Sequence, residues 1–323
     1  MRHLLPRFVG SVLFMWTLCA PSLWAQSVDT GVLGIVRDAS GGIIPGATVT
    51  VTNKSTGVVT TVVSGADGAF EIRYLGPGEH TVDVSLQGFR NQRTTIVLRV
   101  AQMMRLDFTV QLGEVAETIT VIAKGQLLET QSAVVRDVVT EDRVQNLPVA
   151  GRNFVSLGNL TPGVVASNGE FKAGGMRSRY QQITFDGVSV TNNRNNVLMM
   201  FPSLDVIEEI NVQTSNYTAE YGGHAGASVH VQLKAGSSMF KGSLSNYMRD
   251  GDLNARNFFS PLSSPKPKLE RNQFGGVLNG PIARGRTFFM AGFEGIRETR
   301  ETVTQTNFLT AAMRQGDFTR ASP

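Results

Sequence analysis

Apolar and polar residues alternate along the first third of the chain. In Ala47–Asn53 the residues Ala47, Val49 and Val51 share one face, and Thr48, Thr50 and Thr52 share the other. That period of two marks a half-buried strand. Runs of the same kind recur as GVLGIVRD, GVVTTVVS, AFEIRYL, HTVDVSLQGF, RTTIVLRV and RLDFTVQL. Gly41-Gly42, Pro45-Gly46, Asp67-Gly68 and Pro77-Gly78 punctuate them as turns. Seven short strands in a stretch of about 85 residues predict a small β-sandwich, placed within residues 26–112.

The pattern changes beyond it. Glu141 to Asn146 reads as a short helix, with Thr140 as N-cap, acidic residues in the first turn, and Pro148 and Gly151 after its end. QQITFDGVSVTN reads as a hairpin around the two-residue turn Asp186-Gly187. LDVIEEINVQTS passes from a helical turn into a strand. From residue 237 onward alternation returns. Phe289, Ala291 and Phe293 fall on one face of RTFFMAGFEGIR, and Met290, Gly292 and Glu294 on the other. Apolar-out and polar-in is the pattern of a barrel strand. NQFGGVLNGPIARGRTFFMAGFEG reads as two such strands joined by a turn from Gly280-Pro281 to Gly285.

Composition supports a turn-rich β protein, with 34 glycines and 17% charged residues in 323. The formal net charge is +4, and Arg2 and Arg7 supply two of those charges. They begin a segment with the form of a secretory signal: a basic start, the apolar run Phe8–Ala20, then PSLWAQ with cleavage between Ala25 and Gln26. The remaining balance is too weak to indicate nucleic-acid binding. The one cysteine, Cys19, lies inside the signal after Leu18, which is not the small residue that lipidation requires. An exported chain without cysteine in its mature part suits a bacterial envelope. No other apolar run has the length of a membrane helix, so any membrane entry would be through β-strands.

The wording carries family resemblances. GIVRDASGGIIPGATVTVTN and GADGAFEIRYLGPGEHTVDVSLQGF resemble the carboxypeptidase regulatory-like domain, a transthyretin-like sandwich without a catalytic zinc. LPVAGRNFVSLGNLTPGV, GGMRSRYQQITFDGVSV and IEEINVQTSNYTAEYGGHAGASVHVQLKAGS resemble the plug of TonB-dependent outer-membrane receptors. The strands after residue 237 resemble the barrel start of the Oar-like subgroup. The resemblance implies a mainly β chain in five parts: a signal peptide (1–25), a seven-stranded sandwich (26–112), a linker (113–123), an α+β plug (124–236), and the first strands of an incomplete transmembrane β-barrel (237–323). It implies an outer-membrane location with the N-terminal domain in the periplasm.

Within the linker, Glu117, Thr118, Ile119, Thr120, Val121, Ile122 and Ala123 resemble a TonB box. No proline interrupts them, so the backbone N–H groups are free to add as a strand to a partner's sheet edge. Read without its flanks, the same stretch reads first as an ordinary connecting strand that pairs within the protein. The implied partners are TonB with its inner-membrane energising complex, outer-membrane lipid around the full barrel, and an unidentified extracellular substrate, with saccharides and siderophores as candidates. In the plug, Arg152, Arg177, Asp186, Gly187, Glu208 and Glu209 are the structural and ion-pair candidates; Glu208 and Glu209 are adjacent in a strand and point apart.

No enzymatic chemistry is expected. There is no nucleophile elbow, no phosphate loop and no helix-borne zinc motif, and no cofactor or metal is implied. His224 and His230 would stand roughly 20 Å apart on a straight strand, so they read as ordinary surface or lumen residues, and His80 stands alone in the sandwich. The rival reading is a secreted or periplasmic β-sandwich that binds or adheres without transport. The 87 residues after Gly236 make roughly four membrane strands, against about 22 in a plugged transporter barrel, so the chain reads as truncated. The signal segment gives the first prediction: N-terminal sequencing of exported protein should return Gln26, and a retained Met1 or an acylated Cys19 would contradict it.

Overall fold

The computed structural model describes residues 30–113, 118–122, 134–167, 170–192, 194–217, 219–256, 266–301 and 308–319. The signal segment with Ala25 and Gln26 lies outside the described residues, as do Glu117 and Ala123. Contacts divide the chain into two units. One comprises Met1–Lys241 with Asn279–Met290, and the other Gly242–Leu278 with Ala291–Pro323.

The sandwich is built from β1 (Gly31–Asp38), β2 (Thr48–Asn53), β3 (Val59–Val63), β4 (Ala69–Ile72), β5 (Gly78–Ser85), β6 (Asn91–Leu98), β7 (Met103–Arg105) and β8 (Phe108–Val110). One sheet centres on β1, which pairs antiparallel with β4 and parallel with β7 and β8. The other runs β3-β2-β5-β6-β9, where β9 is Thr118–Ile122. Alternating residues fill the space between the sheets, among them Val36, Val49, Val51, Phe70, Val84 and Phe108. RLDFTVQL is not one strand, as its alternation predicts. At Leu106–Asp107 the chain jogs: Leu106 N donates to the Leu33 carbonyl at 2.7 Å, and the Asp107 carboxylate takes the Ile35 N–H at 3.0 Å. A side-chain acceptor thus replaces a ladder bond, and β7 and β8 continue on either side of it.

The plug follows as β10 (Val135–Val139), α1 (Glu141–Asn146), 3₁₀ turns at Ala150–Arg152 and Phe154–Leu160, β11 (Val164–Ser167), β12 (Glu170–Ala173), β13 (Gln182–Phe185), β14 (Val188–Ser189), a 3₁₀ turn at Leu204–Val206, β15 (Ile207–Ser215), a 3₁₀ turn at Ala219–Tyr221 and β16 (Ser228–Leu233). Its main sheet has the order β10-β15-β16-β13-β14. Phe154 is fully buried and meets Phe185 edge-on at 5.7 Å. Asp186 (φ 47°) and Gly187 (φ 84°) form the expected tight turn. Thr140 holds the N-cap position of α1 with extended backbone, but its side chain makes no capping bond.

β17 (Lys241–Asp250), β18 (Leu269–Ala283) and β19 (Thr287–Arg300) form a three-stranded sheet in that order, and α2 (Ala311–Arg314) follows. Leu244, Met248 and Phe293 are exposed, as lipid-facing barrel positions would be. The turn falls at Arg284–Arg286, later than the Gly-Pro pair suggests, and Pro281 lies inside β18. Gly242, near the start of β17, lies against Val277.

Gly34 gives the fold its sharpest steric test. A Cβ there would overlap the Leu106 carbonyl, a backbone group that cannot swing aside, whereas Gly76 faces open space. Gly34→Ala should lower the unfolding free energy of the sandwich by about 1–3 kcal/mol, and Gly76→Ala by far less. Denaturant titration of the two variants would check this; equal midpoints would contradict it.

Candidate functional site

The linker strand does not stand free. β9 is the last strand of the second sandwich sheet and pairs parallel with β6, in the register Asn91↔Thr118, Gln92↔Ile119, Arg93↔Thr120, Thr94↔Val121 and Thr95↔Ile122. Parallel neighbours need a crossover. Here the chain leaves β6, passes through β7 and β8 in the opposite sheet, and returns as β9. Among the described residues no strand pairs with the outer side of β9.

Just past β6, the segment Arg99–Ala101 is held by the plug. The Glu209 carboxylate accepts the Val100 N–H, and its other oxygen lies 3.3 Å from the Arg99 guanidinium. Asn211 Nδ2 donates to the Val100 carbonyl at 2.6 Å, and Arg136 Nη1 to the Ala101 carbonyl at 2.9 Å. Val100, Glu209 and Asn211 are all buried. Burial pushes the Glu209 carboxyl above its ordinary range, while the Val100 N–H and Arg99 pull it back. Both main-chain groups of Val100 are thus satisfied by side chains of β15, which fixes the sandwich to the plug sheet.

Glu208, the residue before Glu209 in β15, points the other way, as adjacent strand residues must. It lines a cleft of about 420 Å³ together with Asn53, Tyr74, His80, Glu141 and Lys234. Lys234 pairs with Glu141 at 2.9 Å. Burial raises the Glu208 carboxyl to about 7, with further upward pressure from Glu209 and Glu141 and opposition from Lys234.

The remaining candidates separate. Arg152 pairs with Asp205 at 2.5 Å with both side chains nearly buried, so its partner is inside the plug. Arg177 is exposed and makes no ion pair among the described residues. Asp186 accepts the Leu233 N–H at 3.0 Å, tying the hairpin turn to β16, and Gly187 serves the turn. His230 is buried rather than on a surface or lumen face as expected, and His80 is buried in the sandwich. His230 is bonded to Thr184 and Ser228 and packs edge-on to Tyr221, while His224 stacks on Tyr217. Burial lowers His230 to about 4, so it is neutral at pH 7. Among the described residues no three His, Cys, Asp or Glu groups could hold a metal. Sequence reasoning missed Arg99, Val100, Arg136 and Asn211, because contacts spanning 35 to 111 residues leave no local pattern. The one signal was a second, adjacent acid at 209 on a strand with apolar neighbours.

Three known domain families match successive stretches of the chain. Residues 31–111 match the carboxypeptidase regulatory-like domain, 113–229 the TonB-dependent receptor plug domain, and 232–323 an outer membrane beta barrel domain. The three matches follow one another along the chain in the order found in its resemblance to TonB-dependent outer-membrane receptors. It is similar to the TonB-dependent transporter Oar of Myxococcus xanthus, with 25% identity over 303 residues. That match covers 89% of this chain and 28% of the relative's length. Among solved structures, the siderophore receptor PirA from Acinetobacter baumannii is 21% identical over 53% of this chain and 25% of its own, with a TM-score of 0.40. The outer membrane transporter YddB from Escherichia coli is 15% identical over 51% of this chain and 30% of its own, with a TM-score of 0.35.

The Glu208 environment sets a pH dependence. Its folded value of about 7 exceeds the ordinary 4.5, so the folded state favours the protonated carboxyl. That contribution to stability is complete below pH 4.5 and is lost as the pH rises through about 7. Glu208→Gln should therefore raise the plug's melting temperature at pH 8 and change it little at pH 4.5. A difference independent of pH would contradict this.

Proposed function

We propose that this chain forms the periplasmic, energy-coupled part of a TonB-dependent outer-membrane transporter, with residues 117–123 as the segment that TonB engages. The carrying observation is the edge strand: β9 lies between sandwich and plug, contains no proline or charge, and has an outer side that pairs with no strand among the described residues. Backbone hydrogen bonding recognises such a segment with little demand on side chains. The domain matches support the reading, since they set this strand at the entry to the plug. A pull from TonB on the strand would shift the plug and open a path through the barrel for an extracellular cargo. The sandwich then faces the periplasm.

Val121→Pro or Ile119→Pro removes a donor from the strand and should abolish crosslinking to TonB from cysteines placed at 117–123, with the sandwich still folded. Thr120→Ser should leave crosslinking intact. Undiminished crosslinking in the proline variants would contradict strand addition, and no crosslinking even without the prolines would favour a periplasmic binding protein without transport.

A further inference from the structure

Resting on the reading of β9 as the TonB-engaged strand, we infer that TonB adds to the outer edge of β9 while β9 stays paired with β6. The sandwich is then part of the docking surface. A strand has two hydrogen-bonding edges, because successive residues turn their N–H and C=O groups to opposite sides. β6 occupies one edge of β9 over five registered residues. Among the described residues the other edge ends the sheet.

Two arguments select addition over displacement. The first is the balance of backbone bonds. Peeling β9 away would strip the paired groups of both β6 and β9, and a TonB strand would restore only those of β9. Addition at the outer edge strips none and satisfies groups that had no strand partner. The second is the composition of the edge. Exposed edges are ordinarily blunted by charge, proline or a bulge. Thr118-Ile119-Thr120-Val121-Ile122 has no charge and no proline, and its register with β6 is unbroken. An undefended edge at the entry of a TonB-dependent plug fits an extended strand of TonB. The opposite end of the sheet, β3, is also uncharged, and it serves as the internal control.

The arrangement gives the regulatory-like sandwich a mechanical role. A pull on the outer edge of β9 passes through the ladder to β6. From the end of β6 it passes to Val100 and Ala101, and so to Glu209 and Asn211 of β15 and Arg136 of β10. The plug sheet is loaded through its edge strand β10 and the neighbouring β15 as well as through the covalent chain.

The test is a reversible staple. Cα partners on neighbouring strands lie about 4.8 Å apart, within disulfide range. Arg93→Cys with Thr120→Cys would lock β9 to β6, and Thr95→Cys with Ile122→Cys is an independent second lock at another registered pair. Binding of the periplasmic domain of TonB to the full chain is measured oxidised and reduced. The inference expects the two forms of at least one lock to bind within about threefold of each other. Binding lost on oxidation and recovered on reduction in both locks would overturn it in favour of displacement. Single cysteines give a second readout, and capture of TonB through Thr61→Cys in β3 but not through Thr120→Cys would also overturn it. If the unlocked, unsubstituted chain fails to bind TonB at all, the reading of β9 itself fails, a result distinct from both.

Discussion

The structure depends on where backbone hydrogen-bonding groups end. A β-sheet leaves a row of N–H and C=O groups at each edge, and each row must meet water, a cover or another strand. In this chain the second sandwich sheet does not stop at β6. It recruits β9 from beyond the domain's own sequence, and so moves its open edge onto the strand that leads into the plug. A connection that the sequence presents as a linker therefore becomes the terminal strand of the preceding sheet.

The second dependence is electrostatic. Glu209 is a buried carboxylate whose desolvation is offset by a main-chain donor and an arginine. Such groups are costly to leave unpaired, so truncating one partner leaves a buried charge or donor unsatisfied. That makes the Val100–Ala101 contact specific: only a chain turning at this point, after β6, brings the Val100 N–H to β15. Glu208, one residue earlier, faces a cleft and holds its proton to about 7. Two adjacent acids thus do different work because a strand turns them to opposite sides.

Much of this was legible in the residues. Alternation located the strands of the sandwich, and Asp186-Gly187 located a hairpin because few other pairs adopt left-handed backbone at both positions. The misses have physical causes. Asp107 offers a side-chain acceptor to β1, so a run that alternates without a break splits into β7 and β8. Pro281 looks like a turn residue, yet it lies inside β18, and the turn comes at Arg284–Arg286. The pairing of β9 with β6 and the grip of Glu209 on Val100 are tertiary. Periodicity marks a strand but does not name its neighbour, and an acidic pair does not reveal which main-chain group it will meet.

Residue-resolved amide hydrogen exchange over 118–122, with and without the periplasmic domain of TonB, tests the central claim most directly. The account predicts that alternate amides, those turned to β6, are already protected in the receptor alone. It predicts that the intervening amides gain protection when TonB is added, with the first set unchanged. Uniformly fast exchange across β9 in the receptor alone, or loss of protection in the first set as TonB binds, would contradict it.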